Sequence, residues 1–354
     1  MKSEEKRRYR IAITLGDAAG IGPEITVKAL GHSQLYESCI PVVVGDRAPL
    51  EDALKFTKSN LQIREIEDPI DAEGKYGVID LIDLHLLSPG DWTYNQVCVS
   101  SGEAAFQYIA KSISLAMKRK VSAVATGPIN KEAINIAGHH YSGHTEIFSA
   151  YTDTKDFGML LMAGTLRTMH VTTHVSMRNA CDIIRNHPER VETTIRLAHE
   201  AMLQLGIEHP RIGVAGLNAH CSENGLFGDE EELSIIPAIN ACIQQGMDVY
   251  GPIPPDTVFV KAIAGMYDVV VSMYHDQGHI PLKLTGFKLN AKTGEFDSLT
   301  GINTTIGLPI IRTSVDHGTA FGKACKNIAN EKSLVDAIQM AVIMAKSRFP
   351  YEAV

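Results

Sequence analysis

Short apolar, β-branched runs alternate with longer amphipathic stretches along most of the chain, and this alternation limits the fold more than any other feature. Arg10–Leu15, Pro41–Val44, Val78–Leu84, Val121–Thr126, Thr168–Thr173, Arg211–Gly216 and Asp268–Met273 read as strands. Several are apolar on both faces, as strands buried in a parallel sheet are. Glu189–Leu205, Asp229–Gln245 and Ser333–Ser347 carry helical periodicity. Ser100-Ser101-Gly102-Glu103 fits a capping box that opens a helix running to about Met117. The pattern predicts α/β layers with functional groups at the C-terminal ends of strands.

The 354 residues suffice for two domains. No Pro/Gly/Ser-rich linker marks a boundary, as expected if the chain crosses between domains more than once. The polar stretch Lys288–Thr300, with Gly294, reads as an inserted loop or hairpin, and Glu4–Arg10 as a frayed terminus. A net charge of −8 without a basic run argues against nucleic acid. Met1–Arg10 lacks the apolar stretch of a signal peptide, and no apolar run approaches the roughly 18 residues of a membrane span. The six cysteines form no CxxC pair, which disfavours a zinc knuckle and suits a reduced, cytoplasmic protein.

Three groups of residues could carry chemistry. Leu15-Gly16-Asp17-Ala18-Ala19-Gly20-Ile21-Gly22-Pro23-Glu24 joins a strand to a helix. Pro23 suits a first helical position, and Gly20 and Gly22 permit a tight turn. The spacing is not GxGxxG, so it carries no dinucleotide fingerprint, and a plain strand-to-helix turn explains it equally well. Ala125-Thr126-Gly127-Pro128-Ile129-Asn130-Lys131, followed by Gly143-His144-Thr145-Glu146, offers donors for an anion at a strand end and a helix start. An ordinary helix cap is the competing reading of the second part.

Three histidines, His174, His220 and His275, each stand just past a predicted strand. Singly, each reads as a structural histidine. As a trio at strand ends they make a plausible open site for a divalent metal. They are too far apart in sequence to form a local clip, so the fold must assemble them. His139, His140, His187 and His209 read as surface groups. Arg312 follows the strand-like run Gly307–Ile311 and precedes Asp316 and His317. Its guanidinium could clamp phosphate or carboxylate, or form a structural ion pair with Asp316 or another group.

Taken in order from about Ile11 to about Ala320, these segments resemble the 4-hydroxythreonine-4-phosphate dehydrogenase family. The match includes Gly16-Asp17, Gly20–Glu24, Ala125–Lys131, Gly143–Glu146, Thr173-His174, Gly216-Leu217-Asn218 with His220, Gly251-Pro252 with Asp256-Thr257, Met273–Gly278, Gly307–Pro309 and Arg312–Thr319. The resemblance implies two α/β/α domains like those of isocitrate and isopropylmalate dehydrogenases, with the active site in the cleft between them. Residues 1–140 with 301–354 would form the first domain. Residues 141–300 would form the second, carrying the metal site and the interface of a homodimer whose site draws on both subunits.

By position, His174, His220 and His275 match metal ligands, with zinc, magnesium or cobalt as the ion. His144, Thr145, Lys283, Asn303 and Arg312 match substrate contacts. Asp256 is the candidate for a base or a carboxylate near the metal, and Lys283 is a second catalytic candidate. The implied reaction oxidises the 3-hydroxyl of 4-phosphooxy-L-threonine with NAD or NADP, and decarboxylation then gives 3-amino-2-oxopropyl phosphate for pyridoxal 5′-phosphate synthesis.

Two departures bear on substrate. Asn218-Ala219-His220 stands where the family often has Asn-Pro-His, and His279-Ile280-Pro281 resembles a sister group acting on 4-phospho-threonate or 4-phospho-erythronate. A phosphate acyltransferase and a non-catalytic phosphometabolite-binding protein compete with the dehydrogenase reading. The three strand-end histidines weigh against both.

Overall fold

The computed structural model describes residues 8–289, 291, 296–299 and 301–350. It divides into two compact units, Met1–Thr154 with Leu308–Val354, and Lys155–Gly307. The first unit opens with β1 (Tyr9–Thr14), α1 (Gly22–Leu30), α2 (Leu35–Ser38), β2 (Cys39–Gly45), α3 (Arg47–Thr57), β3 (Gln62–Glu65) and β4 (Val78–Asp83). It continues through α4 (Val99–Met117), β5 (Ala123–Thr126), α5 (Lys131–Ile136) and α6 (His144–Tyr151). The second unit begins with β6 (Gly158–Ala163), β7 (Leu166–His170), α7 (Met177–Asn186), α8 (Pro188–Gln204), β8 (Arg211–Ala215) and α9 (Ile236–Gln244). There follow β9 (Asp248–Ile253), α10 (Pro255–Ile263), β10 (Val269–Ser272), α11 (His275–Gly286), β11 (Phe287–Leu289), β12 (Phe296–Leu299) and β13 (Ile302–Ile306). The chain then returns to the first unit with β14 (Arg312–Val315) and α12 (Lys332–Arg348).

In the first unit the strands lie in the order β3-β4-β2-β1-β5-β14, every neighbouring pair parallel. Ile11, Ile13, Val42, Val43, Val44 and Val124 are fully buried, as the continuous apolar runs required. Helices α4 and α12 both pack on β1 and β5. In the second unit the order is β13-β6-β7-β10-β8-β9, antiparallel at β13–β6 and β6–β7 and parallel beyond. Leu161, Leu166, Val258, Val270 and Leu282 form its core under α10 and α11.

All seven predicted strands form, and the predicted helices appear as α4, α8, α9 and α12. The capping box does not. Helix α4 starts at Val99 with Cys98 as N-cap and no side-chain cap bond. Ser101 Oγ instead donates to Cys98 O at 3.2 Å, and Glu103 faces His139 at 2.7 Å. His139 is no surface group: it stacks on Phe106 with centroids 3.5 Å apart. The apolar run Gly307–Ile311 is irregular, and the strand is Arg312–Val315 itself, which makes Arg312 a sheet residue. Lys288–Thr300 overlaps a hairpin, β11 against β12 with Phe287 opposite Leu299, while Gly294, Thr300 and the N-terminal residues Glu4–Arg7 lie outside the described residues. The division into units falls later than the expected boundaries. Helix α6 stays with the first unit because it packs on α4 and places Phe148 by Arg312. Among the described residues no helix is long and apolar enough to cross a membrane.

Candidate active site

In the first unit the strand end after β5 and the start of α6 meet Arg312. Asn130 caps α5 by accepting from Ala133 N–H at 2.9 Å, which turns the chain so that Lys131 begins the helix. A Cβ placed on Gly143 would lie 3.9 Å from Lys131 Nζ and 3.4 Å from Glu146 Oε2, so these groups ring the first turn of α6. Arg312 is 2% exposed; its Nη2 donates to Thr126 Oγ1 at 2.9 Å and its guanidinium lies 5.6 Å from the Phe148 ring centroid.

Burial pushes the Arg312 pKa down to about 9, partly opposed by the Glu146 carboxylate. His144 is held well below the usual imidazole range by burial first and then by the Arg312 and Lys131 charges. Its Nε2 is sealed from solvent with no hydrogen-bond partner. A neutral imidazole within reach of two cationic charges, with an unspent ring nitrogen, suits an anionic ligand that brings its own hydrogen bond. The strand end and helix start that the sequence offered together as anion donors thus lie beside Arg312, with Thr145 half-buried.

The histidines belong to the second unit. His275 is the first residue of α11, just past β10. Its Nδ1 lies 2.7 Å from Asp276 Oδ1. A carboxylate only accepts, so Nδ1 carries the proton and Nε2 offers a lone pair, the arrangement a metal-binding imidazole needs. Gln277 anchors the turn: its Oε1 accepts from Met273 N at 2.7 Å and its Nε2 donates to Gly216 O at 2.8 Å. This ties the loop after β10 to the loop after β8, which carries His220.

His174, past β7, faces His275 with ring centroids 5.8 Å apart, beside a hollow of about 250 Å³ lined by Thr172, Thr173 and Tyr274. His174 and His220 both sit in left-handed backbone, φ 50° and 52°. Non-glycine residues adopt that conformation at a cost, and such outliers gather at functional sites. Glu231 shapes the His220 loop, its Oε1 accepting from Leu217 N and Asn218 N, both at 2.8 Å.

Three neutral imidazoles are a donor set that suits a divalent cation. Among the described residues the group whose ligand atoms lie within 4.8 Å of one another is Glu65, Asp83 and His85, an exposed acidic edge of the first unit, and not the trio. Asp256 is exposed in the first turn of α10, which packs on the His220 loop, and its charge acts on Cys221. Lys283 lies 4.2 Å from the Phe287 ring centroid, and Asn303 on β13 is half-buried with Nδ2 2.8 Å from Met159 Sδ.

Sequence reasoning gave His170 no role, and named His279 only for the likeness of His279-Ile280-Pro281 to a sister group, not as a neighbour of His275. His170 is 5% exposed on β7, and its centroid is 4.7 Å from that of His279, which stacks on His275 at 3.7 Å. The signal was present as His279 four residues after His275, one helical turn on.

A family model described as pyridoxal phosphate biosynthetic protein PdxA matches residues 37–341. A D-threonate 4-phosphate dehydrogenase of Cupriavidus necator is 45% identical over 339 residues, 96% of this chain and 98% of that protein. One from Salmonella typhimurium is 45% identical over 336 residues, 95% and 98%. Among solved structures, a 4-hydroxythreonine-4-phosphate dehydrogenase from Klebsiella pneumoniae superposes with a TM-score of 0.84 at 42% identity, covering 95% of this chain and 99% of that one.

Proposed function

The chain belongs to the PdxA family, and from that premise we propose that it is a metal-assisted, NAD(P)-linked dehydrogenase of a four-carbon acid phosphorylated at C4. Its relatives are named dehydrogenases, so oxidoreductase chemistry is the family's own. The observation that carries the substrate class is the first-unit cradle: a buried guanidinium and a neutral, unspent imidazole beside Lys131. Arg312 and Lys131 bind the phosphate or carboxylate, and His144 donates or accepts one hydrogen bond without competing charge.

His174, His220 and His275 would hold the cation, with a second copy of the chain completing the set in a cytoplasmic homodimer. When bound, the cation acidifies the substrate hydroxyl and stabilises negative charge on the oxygen after oxidation. Asp256 would accept the hydroxyl proton, bound NAD or NADP would supply the acceptor for the C3 hydride, and Lys283 would offer charge to the carboxylate lost as CO2, with C2 taking up a proton in its place.

D-threonate 4-phosphate is the leading substrate, favoured by the names of the curated relatives and by His279-Ile280-Pro281. Its C3 oxidation and decarboxylation give dihydroxyacetone phosphate. A second reading, 4-phosphooxy-L-threonine for pyridoxal phosphate synthesis, is supported by the family description and the Klebsiella structure. The test is growth of the reduced-nicotinamide absorbance with NAD or NADP and each acid, with and without chelator. Chelator-sensitive turnover of the hydroxy acid alone supports the first reading, and turnover of the amino acid supports the second. Binding of both without turnover defeats the enzyme assignment.

A further inference from the structure

Beside His275 lies a cluster of two more imidazoles that the proposed ligand set leaves unused. His279 is one turn further along α11, so the two side chains share a face of the helix. Their rings are stacked, centroids 3.7 Å apart and planes 12° apart. His279 Nδ1 lies 3.0 Å from the His275 carbonyl oxygen. A carbonyl only accepts, so Nδ1 carries the proton and the ring is pinned to the backbone of the residue it covers.

To the side of this pair stands His170, its centroid 4.7 Å from that of His279, tilted by 36°, and 6.3 Å from that of His275. His170 is almost wholly buried, and neither of its ring nitrogens meets hydrogen-bond geometry. It reaches this depth because position 278 has no side chain: a Cβ on Gly278 would fall 2.4 Å from His170 Nε2 and 2.8 Å from both Ser272 Oγ and Thr168 Oγ1. Thr168 and Ser272 bond to each other at 2.7 Å and fix the floor beneath the ring. The run His275-Asp276-Gln277-Gly278-His279 thus has a separate task at each position. Asp276 sets the tautomer of His275, Gln277 ties down the turn, Gly278 admits His170, and His279 covers the open face of His275.

We propose that His279 is a positioning residue for the metal centre, holding the His275 ring in one orientation by stacking on its face while hydrogen-bonded to its carbonyl. The inference rests on the reading of His275 as a metal ligand. A ligand imidazole free to rotate about its side-chain torsions loses that freedom on binding metal, whereas one already clamped on its Nδ1 edge and its face does not. Removal of such a supporting contact weakens metal binding by about 10–100-fold in other sites.

The test is cobalt(II) titration of the chelator-treated protein, reading affinity and the visible d–d spectrum, for wild type, His275→Ala, His279→Ala and His279→Phe. Urea unfolding of each metal-free protein runs alongside. Expected are a 10–100-fold loss of cobalt affinity and an altered spectrum in His279→Ala, with metal-free stability close to wild type, and recovery of most of the affinity in His279→Phe, which restores a ring on the His275 face. Wild-type cobalt affinity and spectrum in His279→Ala overturn the proposal. So does an affinity loss that only tracks a loss of metal-free stability in both His279 variants. If wild type binds no cobalt, or His275→Ala binds it unchanged, the ligand assignment itself has failed; binding lost in His275→Ala but kept in His279→Ala defeats only the role of His279.

Discussion

Arg312→Met should separate stability from substrate binding. The guanidinium is 2% exposed and its pKa is pushed down to about 9 by burial. At 1.36 kcal/mol per pKa unit, the distance from the ordinary guanidinium value corresponds to roughly 5 kcal/mol of unfavourable charge burial in the folded state. Methionine removes that cost. It also removes the Thr126 hydrogen bond, about 1.5–3 kcal/mol for a charged donor, and the contact with the Phe148 face, about 2 kcal/mol when desolvated. The terms nearly cancel, so the variant should unfold in urea within about 1–2 kcal/mol of wild type, on either side.

Ligand binding should not be spared. Loss of a buried charge partner costs about 2–5 kcal/mol, or at least roughly 30-fold in affinity for a phosphorylated acid. Inorganic phosphate should accordingly raise the wild-type melting temperature and leave that of the variant in place. If Arg312→Met unfolds several kcal/mol more easily yet is stabilised by phosphate as wild type is, Arg312 is a structural ion-pair residue and the anion cradle is misassigned.

Two further outcomes follow from buried groups. The His170 pKa is pushed down to about 3, chiefly by burial and then by the neighbouring His279 and His275 charges. Folding disfavours its protonation, so the metal-free protein should hold its stability above about pH 6.5 and lose it as pH falls from there toward 3. His170→Phe should flatten that decline in urea unfolding, and an unchanged slope would assign the pH dependence elsewhere. Gly22→Ala should destabilise by about 1–3 kcal/mol or more, because the new Cβ would lie 2.2 Å from the Leu15 carbonyl oxygen, an atom of rigid backbone. A urea midpoint equal to wild type would show that this turn can yield.

The layers of the fold were legible because burial on both faces leaves a run such as Pro41–Val44 with no polar position. Strands β6, β13 and β14 were harder to see. β13 is Ile302–Ile306 with Asn and two Thr, and β14 is Arg312–Val315, three polar residues and a valine, all buried by the sheet around them. No local pattern announces a buried Arg-Thr-Ser. At the candidate site, His275 stood out from its place after an apolar strand. His170 did not, since it sits inside the strand and its depth comes from a missing Cβ far along the chain, at Gly278. The clamp on His275 depends on side-chain direction, which spacing constrains only to a shared helix face.

The strand order of the first unit also bears on how the protein is made. Five of its strands, β1 to β5, leave the ribosome before any of the second unit, but the edge beside β5 is filled only by β14, and α12 covers β1 and β5 only after that. The second unit, whose first and last strands pair from Gly158 against Ile306, can register its own ends while the C-terminal segment is still being translated. The unit that starts first is therefore finished last, with the flank of β5 and the place of Arg312 open throughout synthesis of the other. During that interval the nascent chain is most exposed to aggregation and to chaperones.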